Sequence, residues 1–270
     1  MKNLLVPTDF SENAACALDY AVDIANRFGA HITVLHAYHL ASSETVMVSV
    51  ESIMKEDAEA EMAALLDRIS SKLLPGAKVT GKIVRGDAIT CIARNSAALD
   101  IDLIVMGTQG ATGLKEIFSG SIANGVITHA NIPVLAIPAG FTFNPIHNII
   151  LAVDEDGLSL PEQVEVLLQI AKGYGAKIRV FHKDNGESDK GIDPAVERML
   201  QGIEHSLHYE LNTEDIHKSL SEFAADYQAD MLCMVRRKRS FLESIFHRSA
   251  TKREVFQIKI PMLVLHSEAG

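Results

Sequence analysis

The chain has few cysteines: three, at Cys16, Cys91 and Cys233, each far from the others. That spacing excludes a disulfide framework and a metal knuckle, so they read as small buried hydrophobes of a reducing compartment. No apolar run approaches the ~18 residues a membrane-crossing helix needs. Met1-Lys2-Asn3 leads into three apolar residues before Pro7-Thr8-Asp9, too few for the core of an export signal. Positive charge is also scarce. The formal charge is −10, with 10 basic and 15 acidic residues up to position 140 and 15 and 20 after it, so each half carries −5. Such a balance argues against general affinity for nucleic acid or anionic membrane. A cytoplasmic protein with neither kind of partner is expected.

What is present suits two domains with real cores: 270 residues, 47% hydrophobic and 22% charged. An internal repeat organises them. The segment Ile24-Ala25-Asn26-Arg27-Phe28-Gly29-Ala30-His31-Ile32-Thr33-Val34-Leu35-His36 returns 146 residues later, from Ile170 to His182, with seven of thirteen positions identical. Further on, Asp102-Leu103-Ile104-Val105-Met106 answers to Asp230-Met231-Leu232-Cys233-Met234, and Ile132-Pro133 to Ile260-Pro261, at an offset of 128. Two matches in the same order mark a tandem, with domains at 1–140 and 146–270 joined by a linker-rich stretch at 139–145.

Within the first repeat, strands and helices alternate. Strands are expected at 4–7, 32–36, 78–84, 101–106 and 134–137, and helices at 11–28, 50–74, 88–98 and 121–130. Ser11 is placed to cap the first helix and Gly29 to end it. Alternation of this kind means a doubly wound α/β fold: two tandem parallel five-stranded sheets with flanking helices. Ligands of such sheets sit at the carboxyl ends of the strands, near the switch in strand order.

One of those ends carries a glycine loop. Met106 is followed by Gly107-Thr108-Gln109-Gly110, then nine residues to Gly120-Ser121 and a helix. Glycines let backbone N–H groups approach phosphate oxygens, and a helix start attracts anions through its free N–H groups. The loop lacks the Gly-Lys-Ser/Thr of a P-loop and the Gly-x-Gly-x-x-Gly of dinucleotide folds. Read alone, it is either a phosphate cradle or a tight turn.

The full spacing Gly-x2-Gly-x9-Gly-Ser, with Pro7-Thr8-Asp9 and Ile132-Pro133-Val134-Leu135, resembles the universal stress protein family in its ATP-binding branch. The resemblance is strong over residues 1–139 and worn beyond them. It implies a Rossmann-like fold of the adenine-nucleotide α-hydrolase kind, and ATP, with or without Mg2+, in the first domain. By that resemblance Pro7, Thr8 and Asp9 lie against adenine and ribose. Val34, at the end of the second strand, meets adenine through its backbone. Met106 and Gly107 flank the ribose and α-phosphate, while Gly110, Gly120 and Ser121 hold the phosphates with the backbone of Ile122 and Ala123. Arg85-Gly86-Asp87-Ala88 departs from the family's Gly-x-Pro, and an acidic Asp87 near phosphates would repel them unless it faces away or meets a metal ion. The family also pairs domains through the last strand, here 134–137 and 262–265. That implies a pseudo-dimer within one chain and leaves room for a homodimer.

The second copy has lost these features. Gly107, Gly110 and Gly120 become Val235, Lys238 and Arg248, and Pro7-Thr8 becomes Ala152-Val153, although Asp154 answers to Asp9 and Ser249 to Ser121. Its loop reads Arg236-Arg237-Lys238-Arg239, either a solvated charge run or an electropositive mouth for an anion or acidic partner. His205-x-x-His208 lies on an alternating, strand-like stretch that puts the two imidazoles on opposite faces, which disfavours a metal site. His36 and His182 occupy equivalent strand ends and suggest a shared structural role. No nucleophile elbow or magnesium-holding acid pair supports an enzyme. The expected function is nucleotide binding that regulates a stress or signalling response through an unknown protein partner. A slow ATPase or phosphotransferase, or a ligand-free scaffold, are the alternatives.

Overall fold

The computed structural model describes residues 1–39, 47–108, 121–153, 164–184, 194–211, 216–236 and 259–266. The chain divides into two compact units, one up to Phe143 and one from Asn144 on. The first contains β1 (Asn3–Pro7), α1 (Glu12–Phe28), β2 (His31–Tyr38), α2 (Met47–Ser70), β3 (Lys78–Arg85), α3 (Ala88–Ala98), β4 (Leu103–Gly107), α4 (Ser121–His129) and β5 (Val134–Ile137). The second contains β6 (Asn148–Val153), α5 (Glu165–Tyr174), β7 (Lys177–Asp184), α6 (Pro194–Met199), β8 (His205–Leu211), α7 (Ile216–Asp226), β9 (Met231–Arg236) and β10 (Met262–His266).

Strand order in the first unit is β3-β2-β1-β4-β5, and in the second β8-β7-β6-β9-β10. Every pairing within each unit is parallel. Each unit is therefore a doubly wound α/β sheet, and its order reverses between the first and fourth strands. The central strands are buried on both faces: Leu4, Leu5, Val6 and Leu103 to Val105 in one unit, Ile149 to Leu151 and Met231 to Cys233 in the other. That double burial is why they read as continuous apolar runs.

The repeat is structural as well as sequential. Asp102 accepts the Asn3 N–H through Oδ2 at 2.9 Å, and Asp230 accepts the Asn148 N–H in the same way at 2.9 Å. Each carboxylate ties the start of the fourth strand to the start of the first. The Ser11 hydroxyl caps α1 by accepting the Ala14 N–H at 3.2 Å. Gly29 and Gly175 end α1 and α5 in the left-handed region, with φ of 65° and 67°, which a Cβ would disfavour. Helix α2 stops at Ser70, short of the expected 74, and Pro75 disfavours helical backbone at Leu74 beyond it. The freed chain is held instead by Asn26, whose side chain accepts the Leu74 N–H at 2.7 Å and donates to the Lys72 carbonyl at 3.0 Å.

Candidate functional site

The switch point of the first unit lies between β1 and β4, so the chain leaving β1 and the chain leaving β4 adjoin at the carboxyl edge of the sheet. The turn after β1 is wound on itself. Thr8 is buried; its N–H donates to the Leu35 carbonyl at 2.9 Å, and its Oγ1 accepts the Phe10 N–H at 3.0 Å. Asp9 is exposed, and its Oδ1 accepts the Ser11 N–H at 3.1 Å. Phe10 takes a positive φ of 60°, and its ring lies tilted against that of His36, with centroids 4.5 Å apart. His36 Nδ1 is hydrogen-bonded to the Thr8 carbonyl at 2.9 Å, fixing the turn from the neighbouring strand.

The chain leaving β4 is held on both sides. Gly107 pairs with Ile137 on β5, and the Thr108 N–H donates to the Ile137 carbonyl at 3.0 Å. On the other side the Asn13 side chain, in the first turn of α1, lies against Gly107. Thr108 is fully buried, yet among the described residues neither its hydroxyl nor the buried Oδ1 of Asn124 in α4 has a hydrogen-bond partner. Unpaired buried polar atoms are uncommon, and two beside a strand end and a helix start suit a site built for a polar ligand. Helix α4 packs close to α3 because Gly125 has no Cβ: one placed there would come within 2.9 Å of Ile89 Cγ1.

Residues 1–138 match the model of the universal stress protein family. The chain belongs to that family. A universal stress protein of Methanocaldococcus jannaschii is 28% identical over 141 residues, covering 50% of this chain and 81% of the relative. Universal stress protein YxiE of Bacillus subtilis is 29% identical over 143 residues, covering 50% of this chain and 97% of its own. The crystal structure of a universal stress protein from Archaeoglobus fulgidus shares the fold over 97% of this chain and 95% of that one, at 23% identity and a TM-score of 0.72. Among the described residues no helix is long and apolar enough to cross a membrane, and no three His, Cys, Asp or Glu side chains gather as a metal site would require.

Within this universal stress protein unit, Pro7, Thr8, Asp9, Met106 and Gly107 all sit at or next to the carboxyl ends of β1 and β4. Ser121, Ile122 and Ala123 form the first turn of α4, the first two exposed and Ala123 buried. Gly110 and Gly120 lie outside the described residues. Val34 requires a correction. It is not at the end of β2, which runs four residues further to Tyr38. Val34 is fully buried and paired with Val6 on one side and Gly81 on the other. The Leu35 carbonyl points toward β1 and the Tyr38 carbonyl toward β3, since they accept from Thr8 and Gly86. Strand alternation therefore turns the Ala37 backbone toward β1, just past the point where β1 has ended. Ala37, which the sequence reading missed, is the residue whose peptide groups face the site from β2. No local signal marked it, because β2 is carried to Tyr38 by its pairing with β3, where Ala37 meets Val84 and Tyr38 meets Arg85.

Asp87 is accounted for by α3. Its carboxylate caps that helix, accepting the Thr90 N–H and hydroxyl at 2.9 Å each, and those two bonds lower its pKa. The Asp87-x-x-Thr90 spacing was a readable capping signal. In the second unit, His182 Nδ1 is bonded to the Val153 carbonyl at 3.3 Å, the counterpart of the His36 contact. His205 and His208 take different partners, the Ile203 carbonyl and the Ser206 hydroxyl, at 2.8 Å each. Arg237, Lys238, Arg239 and Arg248 lie outside the described residues.

Proposed function

We propose that the first unit binds ATP at the β1–β4 switch and that occupancy regulates a partner of the protein. One observation carries the reading: the glycine spacing that begins at Gly107 leaves the sheet at the place where open α/β folds hold ligands, and ends at the start of a nine-residue helix. In this reading Pro7, Thr8 and Asp9 face adenine and ribose, and the Ala37 backbone replaces Val34 as the adenine contact. Met106 and Gly107 flank the ribose and α-phosphate. Gly110, Gly120, Ser121 and the N–H groups of Ile122 and Ala123 receive the phosphates. Mg2+ accompanying the nucleotide would be held chiefly by phosphate oxygens. The role is regulatory rather than catalytic: the loop carries Lys115 and Glu116, but not the Gly-Lys-Ser/Thr setting in which a P-loop lysine meets the transferring phosphate. Pairing of the domains through their last strands, or with a second chain, belongs to the same proposal.

Gly120→Arg tests the site, because it copies the residue at Arg248. It should abolish ATP binding in calorimetry while the circular dichroism spectrum stays native. An arginine stem fills the phosphate's volume, although its charge would attract an anion. ATP affinity equal to that of the parent would place Gly120 away from the phosphates and favour the scaffold reading.

A further inference from the structure

We infer that Asn13 is a positioning residue, one that sets the backbone from which the glycine loop starts; the inference rests on the nucleotide reading above. Gly107 has no positive φ, so the glycine is not there for backbone freedom. It is there for room. A Cβ at Gly107 would touch the Asn13 side-chain nitrogen, lie 2.8 Å from its Cγ and 3.1 Å from its carbonyl oxygen. The amide of Asn13 thus occupies the space that any other residue at 107 would need. Asn13 is itself buried, at 9% exposure, and sits in the first turn of a helix whose start is fixed by the Ser11 cap.

Gly107 is therefore gripped between a capped helix start and the β5 ladder, and the next residue, Thr108, is tied to Ile137. Holding the first residue of a loop on two sides preorganises the N–H groups that follow it, which lowers the ordering cost of binding. In the second unit the same ladder position is Val235, paired with Leu265 and buried, so a side chain stands where the first unit has none. Asn13 touches the glycine and acts on the nucleotide only through it.

A double-mutant cycle in the full-length chain tests this, using the parent, Gly107→Ala, Asn13→Ala and the double variant, with ATP Kd from calorimetry and thermal midpoints for each. The parent must bind ATP; if it does not, the functional reading fails before the cycle is read. Gly107→Ala should weaken ATP binding about fivefold or more. Asn13→Ala alone should weaken it about threefold. In the Asn13→Ala background the added methyl should cost little further affinity, a coupling of the size seen between residues in contact. Recovery stays incomplete because the residue-13 carbonyl remains. An equal loss from Gly107→Ala in both backgrounds would mean that the methyl meets the nucleotide directly, and the inference falls. Coupling in the thermal midpoint without coupling in Kd would reduce the contact to packing, which also overturns it. Should Gly107→Ala not fold, Asn13→Ala carries the test: a folded protein with unchanged ATP affinity rules the role out.

Discussion

The carboxyl ends of β4 and β9 occupy the same place in two sheets of the same order, and they differ at the residue that pairs with the last strand. Gly107 pairs with Ile137 and leaves room for Asn13; Val235 pairs with Leu265 and fills its own space. Around them the supports are alike. A carboxylate ties the start of the fourth strand to the first in both units, through Asp102 and Asp230. A histidine on the second strand holds a carbonyl at the end of the first, Thr8 just past β1 for His36 and Val153, the last residue of β6, for His182. A left-handed glycine ends the first helix in each, Gly29 and Gly175. The requirements of the fold and those of the proposed ligand thus fall on separate residues. Caps and strand starts can be kept while the carboxyl edge is rebuilt.

Exchanging the two strand-end residues should break the comparison most sharply. Gly107→Val forces a branched side chain against Asn13 and should destabilise the first unit by on the order of 1–3 kcal/mol, as overpacking does. ATP binding should vanish with it. The reverse change, Val235→Gly, should create no second nucleotide site. It should cost the second unit roughly 2 kcal/mol through the lost buried side chain and the flexible glycine. Calorimetric stoichiometry and thermal unfolding read both. A second ATP equivalent bound by Val235→Gly would show that one residue, and not the whole loop, separates the units.

A smaller effect should separate the two histidines. Removing either ring by substitution to Ala deletes one hydrogen bond to a carbonyl, worth about 1 kcal/mol. His36→Ala should also lower ATP affinity, because the Thr8 turn and the Phe10 ring lose their support. His182→Ala should lower stability alone. Equal ATP affinity in His36→Ala and the parent would make the β1 turn self-supporting.

The smallest effect is in pH. His208 packs against both Phe223 and Tyr227, with ring centroids 5.0 and 5.1 Å away, and Arg179 stands over the Tyr227 ring. Burial first, and then the Arg179 cation, lower its pKa below the ordinary 6.5. The unfolded chain therefore takes up the proton before the folded one. The stability contributed by neutral His208 is complete above pH 6.5 and is lost as pH falls through the lowered folded value. Urea unfolding of the parent should weaken across that window, and His208→Gln should flatten the slope. An unchanged slope would assign the acid sensitivity to other groups.

What the sequence determined by itself is local or repetitive. The alternation of strands and helices, the Ser11 cap, the Gly29 stop and the equivalence of His36 with His182 were all legible. Each depends on a period of two or 3.6, on neighbours three residues apart, or on a copied segment. The Asp87 cap belonged to the same class and could have been read from Thr90. Tertiary structure decided the rest. Which strands adjoin places Pro7 beside Met106, almost a hundred residues away. How far β2 outruns β1 depends on a partner strand, and it moves the proposed adenine contact from Val34 to Ala37. Why position 107 is glycine depends on Asn13, which only packing brings to it. Sequence order carries no record of which distant atom needs the space that a missing Cβ leaves.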